Sequence, residues 1–169
     1  VLVFPAVLTR ITWREWLGLG AGLLAAVSLF LPWSTLSASA PDVQDGLRSL
    51  PAGEVVRNAW NSDFLSWFPP ILLLLTGLAV ALFGQVGKLR DSGLPQLWLI
   101  SAGVVVVLMA FGWYAIDLQF SSEQRALFSI AGVAVSPGYG RYAGMIAAVA
   151  SLVAACFDAR ATRRKGHTR

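Results

Sequence analysis

Charge is what this sequence has least of. Only 13% of its 169 residues are Asp, Glu, Lys or Arg, about half the ~25% usual in a soluble domain. That shortage excludes an ordinary water-soluble fold, because even a folded surface is roughly 40–45% polar. Cysteine and histidine are nearly missing too. Cys156 alone cannot form an intrachain disulfide. With His167 as the one histidine, the chain lacks the ligands for a zinc site, a Cys–His nucleophile pair on suitable segments, or a bis-histidine haem. No metal, cofactor or catalytic motif is expected, and the chain is read as non-enzymatic.

What is present is apolar. Hydrophobic residues make up 56%, with seven Trp and sixteen Gly, and Trp and Gly are both frequent in membrane proteins. A membrane helix needs ~20 apolar residues to cross a ~30 Å hydrocarbon core. Four stretches come close to that pattern, giving expected spans at 16–33, 65–86, 95–116 and 139–157. The expected fold is therefore an all-α integral membrane protein, a single four-helix domain over residues 1–169. Its outer loops would be 34–64 and 117–138, and its basic tail 158–169. Ser121 followed by Gln124 is a capping-box signal for a short surface helix in the second outer loop. A rival reading of the first stretch is a secretory signal, with Ala38-Ser39-Ala40 as the cleavage site. The apolar run is longer than the usual 7–15 residues, and Pro41 would follow the cut. A retained helix is the expectation.

Charge orients the four spans. One side collects Arg10, Arg14, Lys88, Arg90, Arg160, Arg163, Arg164, Lys165 and Arg169; the other has Arg48, Arg57, Arg125 and Arg141. Positive residues favour the cytoplasm, so both ends are expected there, in a bacterial plasma membrane. The net charge of +4 follows from that bias, and no nucleic-acid face is expected. Interfacial aromatic belts fit the same orientation. Trp13, Trp16 and Trp98 would lie at inner ends, and Trp33, Trp67, Trp113, Tyr114, Tyr139 and Tyr142 at outer ends. Pro32 and Pro69-Pro70 read as end-of-helix punctuation.

The outer loop 34–64 is broken by Pro41, Gly46, Pro51 and Gly53. It has room for one or two short helices, such as one over 54–60, and is too small for its own core. Trp60 falls outside the belts; a loop anchor in the headgroups and a partner contact are both open. Arg141 is the charge closest to a span interior. Three roles are open to it: reaching back to the interface, pairing with Asp117 or Asp63, or holding a lipid headgroup together with Tyr139 and Tyr142. Gly138-Tyr139-Gly140-Arg141-Tyr142-Ala143 matches a dinucleotide fingerprint in letters only, since no strand–helix alternation surrounds it. Gly18-x-x-x-Gly22 and Gly140-x-x-x-Gly144 are small-residue faces on which helices pack closely, within the bundle or against a partner.

Leu31-Pro32-Trp33, Trp60 with Asp63, and Gly138-Tyr139-Gly140-x-Tyr142 together resemble the small, largely uncharacterised four-span membrane proteins of high-GC Gram-positive (actinobacterial) type. The resemblance implies a bacterial plasma membrane and supplies no catalytic residues. The expected function is a non-catalytic accessory or scaffolding subunit of a larger complex, in a respiratory chain or the cell envelope. Membrane lipids and other membrane subunits would be its partners. The alternatives are a lipid or envelope-precursor binding protein, and part of an enzyme or transporter whose site is shared with another chain.

Overall fold

A computed structural model describes residues 11–86 and 92–166. Arg10, Lys88, Arg90, Asp91, His167 and Arg169, which carry part of the charge argument, lie outside the described residues. The chain is mostly helical, and among the described residues three helices are long and apolar enough to cross a membrane. These are α4 (Phe64–Phe83), α5 (Leu94–Tyr114) and α7 (Tyr139–Gly166), the last of which qualifies over Tyr139–Thr162. The fourth long helix, α1 (Trp13–Ser28), has 16 residues. At ~1.5 Å per residue it spans ~24 Å, short of the expected 16–33 run because the chain turns at Leu29 and enters a strand at Pro32.

The four helices form a ring in chain order, each antiparallel to the next. Gly18 and Gly22 of α1 meet Gly77 and Leu74 of α4, so the two helices run in opposite directions. Trp98 and Met109 of α5 meet Ser151 and Gly144 of α7 in the same opposed sense. Small side chains fill the middle: Ala21, Ala25, Ala102, Ala147, Ala148, Ala154 and Ala155 are buried. Large ones face out in helical rows, such as Ile100, Val104, Val107 and Phe111 on α5 and Ile146, Val149, Val153 and Phe157 on α7. Small-inside, large-outside is the packing of helices in lipid, where association comes from close backbone approach rather than from hiding apolar surface.

Two belt assignments are corrected by this core. Trp98 is 1% exposed, donating from Nε1 to Ser151 Oγ at 3.1 Å. Trp33 is also buried, donating from Nε1 to Ser28 O at 2.6 Å. Each ring is sunk against glycines: Trp98 against Gly18, Trp33 against Gly140 and Gly144. Ser151→Ala would leave the indole N–H of Trp98 buried without an acceptor. The expected cost is about 1–3 kcal/mol, read as a lowered unfolding midpoint with unchanged helical circular dichroism.

The all-α expectation is also corrected. Three strands pair antiparallel in the order β2-β1-β3: β1 (Pro32–Ala38), β2 (Val56–Asn58) and β3 (Val133–Pro137). The loop expected to hold a helix over 54–60 instead holds α2 (Pro41–Arg48), a single turn α3 (Ala52–Val55) and β2. Pro41 opens α2 at its first turn, where its missing N–H costs nothing. The second loop holds a 3-10 turn (Ile116–Gln119), α6 (Ser122–Ala131) and β3. Helix α6 begins on the expected capping box, Ser121 with Gln124. Leu36, Leu47 and Phe120 form a small core under the sheet, joined by Phe128, Val133 and Val135. This layer caps one end of the bundle. Pro69 and Pro70 are buried inside α4 rather than at its boundary, since the helix already starts at Phe64.

Candidate functional site

The junction between cap and bundle is built around Trp33 and Arg141. The Gly138–Gly140 segment carries β3 into α7 directly against the backbone of Pro32 and the ring of Trp33, where a side chain on either glycine would collide. That turn places Arg141, 5% exposed, beneath the start of β1. Its Nε donates to Trp33 O at 2.8 Å, and one Nη donates to Gly112 O at 2.6 Å. The guanidinium carbon lies 5.7 Å from the centre of the Trp33 ring. Gly112 is in the last turn of α5, whose carbonyls lack helical donors and carry the negative end of the helix dipole. Arg141 therefore caps α5 and ties it to the first residues of the sheet.

This geometry answers the questions the sequence left open. The acceptors of Arg141 are carbonyls, not the carboxylates of Asp117 or Asp63. Asp63 instead sits at the N-terminus of α4 and accepts from Ser66 Oγ at 2.5 Å. The cavity beside the guanidinium, lined in part by Leu65, Met109 and Trp113, is about 10 Å³. That is room for about one water, not for a lipid headgroup. Tyr139 is 81% exposed and does not line this cavity, and Tyr142 packs edge-on against Trp113. The three residues expected to form one headgroup site are not brought together as one.

The four glycines considered for a partner helix are spent inside the molecule. A Cβ on Gly18 would lie 2.5 Å from the Trp98 ring, and one on Gly22 3.0 Å from the backbone of Leu74. Gly140 and Gly144 lie under Trp33, with Ser28 and Met109 beside Gly144. Trp60 does stay at the surface. It is 46% exposed and stacks on Trp67 with centroids 6.4 Å apart. Phe30 and Phe64 extend this row, and both are exposed. The row runs along the cap's rim over α1 and α4.

A polar lock at the opposite end was not anticipated. Glu15 is 1% exposed; its carboxylate accepts from Thr12 N at 2.7 Å and from Gln85 Nε2 at 3.0 Å. Arg14 joins α1 to α7 through Asp158 at 3.3 Å and the carbonyl of Phe157 at 3.2 Å. The sequence signal for it was Thr12-x-x-Glu15, the same capping-box spacing that announces α6. Its tertiary partners came from residues distant in sequence.

An open cleft among the described residues is large enough for a ligand of some size. It measures about 390 Å³ and lies beside β3, lined by Asp117, Arg125, Phe128, Ser129 and Val133–Val135. Helix bundle, junction and cap together define a helical membrane-type bundle with a structured sheet at one end. No protein-family model matches this chain, and neither a curated protein nor a solved structure is similar to it. The resemblance drawn from Leu31-Pro32-Trp33 and its companion motifs rests on those residues alone.

Proposed function

We propose that this protein is a four-span, non-catalytic scaffolding subunit of a bacterial plasma-membrane complex, with the cap outside and both chain ends in the cytoplasm. The single observation that carries the reading is the rigid junction: Arg141 and Trp33 weld a structured cap to the helix ends. A welded cap holds a recognition surface at fixed height above the bilayer. The Phe30–Trp60–Phe64 row supplies such a surface, and exposed Trp is the residue type most often at the energetic centre of interfaces.

The fourth crossing is α1. It packs along α4 and α7 from Glu15 at one end to Ser28 at the other, in step with the three longer helices. Exposed Phe30 and half-buried Leu31 continue its path toward the cap side. The lipid-binding alternative loses its motive, because the Arg141 guanidinium is engaged by two carbonyls. Purification in mild detergent on a C-terminal tag, followed by mass spectrometry, is expected to recover a stoichiometric set of membrane subunits. Trp60→Ala should reduce that recovery by about tenfold or more, as loss of a hot spot does. A lone chain carrying one lipid species would overturn the proposal.

A further inference from the structure

The edge of the cap sheet is the feature the scaffold reading does not use. Strand β3 pairs with β1 on one side only, at the end of the order β2-β1-β3. The Gly138 N–H donates to Trp33 O at 3.0 Å, which makes Ser34 and Pro137 a non-hydrogen-bonded pair in the ladder. Antiparallel pairs alternate, so Ser136 and Ala134 bond to β1 while Val135 and Val133 turn their N–H and C=O groups outward. Among the described residues no hydrogen bond reaches those outward groups. The same residues, Val133–Val135, line the 390 Å³ cleft.

Unpaired strand edges are templates for another strand, and proteins usually blunt them with proline, charge or cover. Here only one end is blunted: Pro137 lacks an N–H, which stops pairing beyond Ser136. Among the described residues, helix α6 makes no backbone hydrogen bond to this edge. Its Phe128 packs beneath the sheet, and Arg125 and Ser129 form the cleft's far wall. An open strand edge facing a helix wall across a cleft is the arrangement that accepts an extended peptide by strand addition. From Val133 to Val135 is a path of ~7 Å at ~3.3 Å per residue, a match for about three residues of guest.

We propose that the β3 edge binds an extended segment of a partner protein on the extracytoplasmic side, pairing with Val133 and Val135 as a fourth strand. The lining supports a peptide over an anionic headgroup, because Asp117 sets a negative charge in the same cleft as Arg125. Both signs suit a polar strand whose backbone supplies most of the bonding. The proposal rests on the scaffold reading and names the surface by which one partner is held.

The test uses the full chain in nanodiscs as bait for a random nine-residue peptide library displayed on phage. Enriched peptides are then made with single backbone N-methyl groups at successive positions. The expected result is a period-two pattern. Methylation at alternate residues lowers affinity at least tenfold and at the intervening ones does little, because only every second N–H faces the host edge. Val135→Pro should remove the same binding. Should that variant fail to fold, the methylation series on the unaltered chain decides alone. A photo-reactive residue replacing exposed Ala134 should cross-link the bound peptide. No enriched peptide, or affinity indifferent to methylation parity, would overturn the proposal. A cross-link from β3 of one copy to β3 of another, or competition by vesicles of anionic lipid alone, would likewise overturn it in favour of self-pairing or of a headgroup. If subunits are recovered in the detergent purification and Val135→Pro does not release any of them, the edge proposal fails while the scaffold reading stands. Peptide binding without any stable subunit set would mean the reverse.

Discussion

Arg141→Met is expected to free the cap from the bundle while leaving the helices assembled. Methionine keeps much of the apolar volume, so the loss isolates the polar interaction. Two hydrogen bonds from a charged donor go, each worth ~1.5–3 kcal/mol, and the carbonyls of Trp33 and Gly112 are left without that donor. The summed cost is about 3–6 kcal/mol, a large share of a typical 5–15 kcal/mol stability. Hydrogen exchange in nanodiscs is the measurement. The bonded amides of the β1–β3 ladder, Thr35, Ser37, Ala134, Ser136 and Gly138, should lose protection by several orders of magnitude, whereas Ala21–Ala25 and Ala147–Ala155 keep theirs. Arg141→Lys should fall between, because a compact ammonium cannot reproduce the planar fork that reaches two acceptors on different elements. Unchanged protection across the sheet in Arg141→Met would show that the cap is held without this residue.

The second large effect lies at the contact of α1 with α4. A Cβ on Gly77 would fall 2.7 Å from the carbonyl oxygen of Gly18, which is backbone and has no rotamer to retreat into. Gly77→Leu should therefore push α1 off the bundle. The cost is at the upper end of, or beyond, the ~1–3 kcal/mol usual for overpacking. Gly20→Ala and Gly103→Ala are the contrast, because neither added Cβ meets anything within 4 Å. They should be neutral or slightly stabilising, since alanine outranks glycine in a helix by ~1 kcal/mol. A disulfide between cysteines placed on facing positions of α1 and α4 reports the separation. It should form in Gly20→Ala and fail in Gly77→Leu. Equal yields would mean that α1 does not depend on this approach.

The largest helices could be anticipated from composition because each is a local property. An uncharged run of sufficient length between Asp63 and Lys88, or between Asp91 and Asp117, must be helical in lipid, where every backbone polar group needs a partner within its own segment. The capping box at Ser121 and Gln124 was equally local. The Gly18–Gly22 and Gly140–Gly144 faces were visible too. Whether they met a partner or the molecule's own core depended on where Trp98 and Trp33 came to rest.

The sheet could not be read in advance, because its strands say little alone. Three residues, Val56–Asn58, carry no period worth the name, and Thr35 is bonded to Ser136 across 101 positions of chain. Isolated short strands are marginal; these exist because the bundle brings the end of α1 beside the start of α7. Arg141 shows the same division. Its position one turn inside a span was legible, and with it the expectation that so costly a charge must be answered. The answer came from carbonyls of β1 and α5, 108 and 29 residues away. The sequence by itself determined the apolar helices, since length, hydropathy and backbone satisfaction act within a segment. Only the tertiary structure decided the cap, the fate of the glycines and the role of Arg141, since each depends on which distant backbone lies within bonding range.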